Sequence, residues 1–272
     1  MEMKIKLTLT IFFVSALFIS LAAQEYNLYN TQKKIIYSKT VDDSFYIYIS
    51  LPGNYYSSDK QYPVLYVLDG DVAYGMAASI VRYLQIGDNI PELIVVGIGY
   101  GSIDKSAGEK RKRDYRPVQS GGAENFLVFL KDKLIPYIDS TYRTVSSDRT
   151  IAGYSIGGLF ALYALFTHPE TFNRYLVGSP YLNWDNSSIY NYEENSPAVI
   201  DDKQINIFIS VGSEESEQKY YNPIDKLVTK IQERDYPNVK LETKVFDGSS
   251  HLTGPPESLT YGLVSVFGKK SE

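Results

Sequence analysis

The spacing of apolar and polar positions changes several times along this chain, and each change marks an element. Residues 33–40 and 44–51 read as two early strands, the second alternating apolar with polar side chains at Phe45, Ile47 and Ile49. This period of two predicts a pair of antiparallel strands with one covered face. Residues 63–68, 93–98, 175–178 and 205–211 are instead continuous apolar runs rich in Val, Ile and Leu. Such runs read as strands buried on both faces. Helical spacing falls between them, over 72–84, 123–142, 225–234 and 258–267. In the longest, Phe126, Phe129, Leu130, Leu134 and Ile138 form one apolar stripe, and Pro136 is expected to kink it. Residues 239–246 form a last strand. Buried strands alternating with helices predict an α/β fold, with a mostly parallel central sheet flanked by helices on both faces. Residues 181–203 are polar, aromatic and loop-like, and their position after a strand makes them an expected lid or pocket wall.

The N-terminus departs from this pattern. Lys4 and Lys6 precede an apolar run over 7–23, which small residues (Ser20, Ala22, Ala23) close before polar Gln24 and Glu25. This predicts a secretory signal peptide over residues 1–23, cleaved after Ala22 or Ala23. The run is short for a membrane span. The expected product is one domain over 24–272, periplasmic or secreted, with no membrane attachment.

Composition narrows the chemistry. There is no cysteine among the 272 residues, which excludes disulfides, thiolate metal sites, a cysteine nucleophile and an acylated lipoprotein anchor. With 27 basic and 32 acidic side chains, the net charge of −5 makes nucleic acid a poor partner. The one basic cluster, Lys110 to Arg113, reads as a solvated loop. The 25 tyrosines suit half-buried strand positions such as Tyr46 and Tyr48.

The candidate chemistry centres on Gly153-Tyr154-Ser155-Ile156-Gly157-Gly158. An apolar run enters it and a helix-forming run leaves it. G-x-S-x-G between a strand and a helix is the nucleophile elbow of α/β-hydrolases, where small residues allow a sharp turn that exposes the serine. A serine hydroxyl needs a neighbouring base, and the chain has two histidines. His168 lies thirteen residues along the elbow helix, roughly 20 Å from the serine. His251 lies in the loop after the last strand, where the order nucleophile, acid, base puts it. The acid is expected after the strand at 205–211, where Glu214, Glu215 and Glu217 compete. Its frequent position three residues after a glycine favours Glu215, with Glu214 as the alternative acid. It would hold the tautomer of His251 and stabilise the imidazolium. The oxyanion hole is expected from the backbone amides of Ile156 and Asp71, the latter in the loop after residues 63–68, with the Asp71 carboxylate turned away. A metal site at Asp69 and Asp71 would lack any histidine, and no metal or cofactor is expected.

Tyr66 to Asp71, Val95 to Tyr100, Arg113-Asp114-Tyr115-Arg116-Pro117, the elbow, Gly178-Ser179-Pro180, Trp184-Asp185-Asn186, Ser210 to Glu215 and His251 together span most of the chain. In these stretches it resembles the putative-esterase family of α/β-hydrolases. The similarity is greater to the siderophore-esterase branch than to feruloyl esterases and esterase D. Arg116 departs from the threonine expected there. The resemblance implies that Tyr181 and Trp184 contact substrate, and that Arg113 either contacts an anionic catecholate or braces its loop through Asp114. The function expected is a serine esterase that works through an acyl-serine, acting on siderophore lactones or on feruloylated or acetylated plant polysaccharide, so the expected partner is a small-molecule or oligosaccharide ester. An acyltransferase and a non-catalytic binding protein on the same fold are the alternatives.

Overall fold

Residues 28–117, 122–196 and 204–268 are described by the structure, a computed structural model. The expected signal peptide lies outside the described residues. Strands β1 (Thr31–Ser38) and β2 (Asp43–Ser50) form the antiparallel pair that the alternating pattern predicts, with Phe45, Ile47 and Ile49 facing the core. The continuous apolar runs become β3 (Tyr62–Val67), β4 (Ile94–Gly99), β6 (Arg174–Gly178) and β7 (Ile205–Gly212). With β5 (Thr144–Tyr154) and β8 (Val239–Phe246) they complete an eight-stranded sheet in the order β1-β2-β4-β3-β5-β6-β7-β8. β2 meets β4 antiparallel, and every later neighbour is parallel.

The apolar runs are continuous because both faces of the sheet are covered. Val64 and Tyr66 of β3 join the larger core cluster, whereas Leu65 and Val67 join the other. Side chains on a strand alternate between faces, so no position in such a strand can be polar without cost. Helices α1 (Gly70–Ile86) and α8 (Gly254–Phe267) cover one face. The other is covered by α3 (Ala123–Phe129), α4 (Ile135–Thr141), α5 (Ile156–Thr167) and α7 (Asn222–Glu233).

Three expectations are corrected. The basic cluster is not a loop but the second half of a helix, α2 (Lys105–Asp114), capped by the Asp104 carboxylate on the Ala107 amide at 3.0 Å. Only Ala107 and Asp114 of α2 are buried, so it carries no apolar stripe for periodicity to detect. The helix over 123–142 breaks not at a simple kink but through one wide turn, Leu130–Leu134, placed just before Pro136. A proline has no N–H to close the usual bond with the residue four positions earlier, and the wide turn absorbs that loss. The expected lid holds a short helix, α6 (Ile189–Glu194), and packs through buried Leu182 and Ile189. Its last seven positions, 197–203, lie outside the described residues. Among the described residues no helix is long and apolar enough to cross a membrane.

Candidate active site

Ser155 sits between β5 and α5 with φ 58° and ψ −119°, a conformation that costs an L-residue free energy and persists only when its surroundings enforce it. Here its N–H donates to the Gly178 carbonyl at 2.9 Å, and its own carbonyl accepts from the amides of Leu159 and Tyr181, each at 3.1 Å. A Cβ at Gly153 would overlap the carbonyl oxygen of Gly157. The strand and helix therefore pinch where the motif has no side chains. At the start of α5 the amide of Ile156 has no intrahelical acceptor and lies next to the serine.

The ends of β7 and β8 supply the candidate acid and base. Just after β7 the chain turns back through a bond from the Glu215 amide to the Gly212 carbonyl at 3.1 Å. This turn buries the Glu215 carboxylate while Glu214 and Glu217 stay exposed. Oε2 of Glu215 lies 2.7 Å from Nδ1 of His251. Oε1 accepts from the Gly212 amide at 3.0 Å and from the Ser179 hydroxyl at 2.5 Å. Burial pushes the Glu215 carboxyl up, but the bonds from His251, Ser179 and Gly212 outweigh burial and hold it below the ordinary carboxylate value. An ionised carboxylate only accepts, so Nδ1 carries a proton and Nε2 is left as the acceptor a general base needs. The single Ser179 proton likewise goes to Glu215. Tyr154 then donates to Ser179 Oγ across their 2.9 Å separation.

His251 is gripped by rings. Tyr220 stacks on it at 4.6 Å between centroids and 27° between planes, and Tyr154 tilts against it at 5.1 Å. The Tyr220 hydroxyl lies 3.4 Å from Nε2. Ser155 and His251 line one cavity of about 420 Å³. Among the described residues no hydrogen bond joins the Ser155 hydroxyl to Nε2, a looseness common before substrate binds. His168 has no part here. It ends α5 beside Lys131, Glu124 and Glu170.

Asp69, Gly70 and Asp71 carry the chain from β3 into α1, with Asp69 at φ 57°. The Asp71 carboxylate accepts from the Tyr48 hydroxyl at 2.7 Å and from the amides of Tyr100 at 2.5 Å and Gly101 at 3.0 Å. Its charge is thus spent on β2 and the loop after β4. Its backbone amide, in the first turn of α1, has no intrahelical acceptor. Asp69 is held by Arg111, whose Nε and Nη2 donate to its two oxygens at 2.5 and 2.9 Å. Nη2 also donates to the Tyr154 carbonyl at 3.2 Å, and the Tyr115 hydroxyl accepts from the Asp69 amide at 3.1 Å. Both aspartates hold protein donors.

Arg111 was not singled out in the sequence, and Arg113 was. Arg111 lines the cavity with Ser155 and His251, and Arg113 does not. Arg113 grips Asp114 at 2.6 and 2.9 Å and Asp43 at 3.1 Å, which is the bracing role. Two residues apart on α2, the arginines face different neighbours, and a helical reading of 105–114 would have separated them. Tyr181 and Trp184 also stand outside that cavity. They connect to the ring that stacks on His251 through contacts from Trp184 to Tyr181 at 6.2 Å and from Tyr181 to Tyr220 at 6.0 Å. Arg116 lies 4.0 Å over the Trp184 ring.

Ester-cleaving α/β-hydrolases deliver nucleophile, acid and base in this chain order from strand ends, and the fold and site put the protein in that class of serine hydrolases. Residues 38–252 match the family described as Putative esterase, and the chain belongs to it. It is 28% identical over 261 residues to the ferri-bacillibactin esterase BesA of Bacillus subtilis (strain 168), an overlap that covers 86% of this chain and 88% of that one. Among solved structures, the BES protein from Bacillus cereus superposes with a TM-score of 0.83 at 29% identity, over 90% of this chain and 98% of that one. An IroE-like serine hydrolase from Shewanella oneidensis does so at 0.77 and 26% identity, over 87% of this chain and 80% of that one.

Proposed function

We propose that this protein is an exported serine esterase that opens ester bonds of siderophores, with Ser155 as nucleophile, His251 as base and Glu215 as acid. The observation that carries it is the 2.7 Å contact from buried Glu215 to His251, which lines one cavity with the strained Ser155. Oγ of Ser155 attacks the ester carbonyl carbon and its proton passes to Nε2 of His251. The amides of Ile156 and Asp71 receive the oxyanion. The carbonyl–oxygen bond of the leaving alcohol breaks, and the alcohol takes the proton from His251. Water, deprotonated by the same imidazole, then releases the acid and restores the serine.

Two things support the siderophore as substrate. One relative, which the chain matches over 86% of its length, is described as a ferri-bacillibactin esterase. The rings connected to His251 carry cations, with Arg116 over Trp184 at 4.0 Å and Lys219 about 5 Å from both Tyr181 (5.1 Å) and Tyr220 (5.2 Å). Such a row suits anionic aromatic chelating groups. Export rests on the signal-like pattern of residues 1–23.

Ser155→Ala is expected to abolish turnover of p-nitrophenyl acetate and of a ferric catecholate trilactone, while the wild type turns over both. A fluorophosphonate should add its mass to the wild type at Ser155. Full activity in the variant would sink the assignment. A wild type active on the simple ester but not the trilactone would remove only the siderophore.

A further inference from the structure

We propose that Tyr220 is a further catalytic residue, whose hydroxyl donates a hydrogen bond to the leaving alcohol oxygen as the ester bond breaks. The inference rests on the esterase reading above. Tyr220 lies on the wide turn Glu217–Tyr221, shortly after the candidate acid. The Ser216 carbonyl accepts from the Tyr220 amide at 2.9 Å, and the Ser216 hydroxyl accepts from the Lys219 amide at 3.3 Å, which fixes the backbone that carries the ring. The ring is buried, stacks on the imidazole of His251 at 4.6 Å, and meets Tyr181 with centroids 6.0 Å apart. Held in this way, it brings its hydroxyl to 3.4 Å from Nε2 of His251. Among the described residues that nitrogen is the one hydrogen-bond partner of the hydroxyl.

Nε2 is where the proton changes hands twice. Neutral His251, with Nδ1 bonded to Glu215, has its one free lone pair on Nε2, and the Tyr220 O–H donates to it before the reaction. Ser155 delivers its proton to the same lone pair. From then on Nε2 is a donor and can no longer accept from Tyr220. A buried hydroxyl left without an acceptor costs free energy, so Tyr220 needs a new one. The leaving oxygen must come within roughly 2.6–3.2 Å of Nε2 to receive its proton, and it therefore arrives beside the tyrosine.

As the tetrahedral intermediate collapses, the bond from the carbonyl carbon to the leaving oxygen breaks, and its electron pair stays on that oxygen. The proton comes from Nε2. Tyr220 keeps its own proton and contributes a second hydrogen bond, which is strongest when the oxygen bears most charge. The gain is largest for an alkyl alcohol, whose oxygen does not depart as a stable anion, and smallest for a nitrophenol. Esters of alkyl alcohols are the class that this hydroxyl serves.

The test compares p-nitrobenzyl acetate with p-nitrophenyl acetate. The two share the acetyl group and an aromatic ring, and they differ in whether an alcohol or a phenol leaves. Tyr220→Phe keeps the stacked ring and removes only the hydroxyl. It should lower the p-nitrobenzyl-to-p-nitrophenyl ratio of kcat/KM roughly tenfold or more, the scale of a lost hydrogen bond to a charged group. Fluorophosphonate should still label Ser155 in the variant, with folding checked by thermal unfolding. An unchanged ratio would overturn the role, whether both esters slow together or neither does. If the hydroxyl serves only to keep His251 neutral, its loss moves the acid limb of the kcat/KM profile to higher pH equally for both esters, and the inference falls. A wild type that turns over neither acetate and leaves Ser155 unlabelled would remove the esterase reading and this role together.

Discussion

Glu215 is held by three donors at once: the imidazole of His251, the Ser179 hydroxyl and the Gly212 amide. Glu214 and Glu217, one and two residues away, face solvent. Replacing Glu215 by Gln removes the charge that stabilises the imidazolium and permits the wrong tautomer. In serine proteases the comparable change costs about 10⁴ in kcat. Glu215→Gln is therefore expected to lower kcat by about 10²–10⁴, against less than about threefold for Glu214→Gln, in steady-state assays of a p-nitrophenyl ester. The pH dependence of stability carries the same signature. The folded carboxyl sits below its ordinary value of about 4.3, so its stabilisation is complete above that pH and is lost as pH falls through the lower folded value. Part of this was legible beforehand. The spacing from Gly212 favoured Glu215, but spacing could not show which carboxylate the turn after β7 would bury.

At the scale of elements, α2 joins the two halves of the proposed oxyanion hole. One guanidinium reaches Asp69, two residues before the Asp71 amide, and the Tyr154 carbonyl, two residues before the Ile156 amide. Arg111 is thus placed to position both donors. Lysine offers no planar fork and cannot satisfy two carboxylate oxygens and a carbonyl together. Arg111→Lys should lower kcat about tenfold or more with little change in KM, and slow fluorophosphonate labelling of Ser155 in parallel. A variant that only lost stability would keep its kcat at low temperature. The sequence hid this role because α2 has no apolar stripe and reads as a charged loop.

Over the whole molecule, the elbow depends on the layer that packs beneath it. Phe160 on α5 is fully buried between Phe126 of α3 and Tyr115, with ring centroids 5.0 and 5.7 Å away. It therefore joins the nucleophile helix to the layer over the larger core. Phe160→Ala leaves a cavity there and should cost about 3–5 kcal/mol, read as a lowered midpoint in urea unfolding.

What the sequence by itself determined is everything carried by local period and spacing. The buried strands, most of the helices and the elbow serine follow from near neighbours along the chain, and chain order with only two histidines singled out His251. Tertiary structure decided the rest: which glutamate after β7 is buried against His251, and that Arg111 lines the cavity with Ser155 while Arg113 does not. These rest on contacts between distant segments. Glu215 meets His251 and Ser179 across 36 residues each, and Arg111 meets Asp69 across 42. No periodicity records which side chains the sheet will bring together, because their partners are set by strand order rather than by distance along the chain.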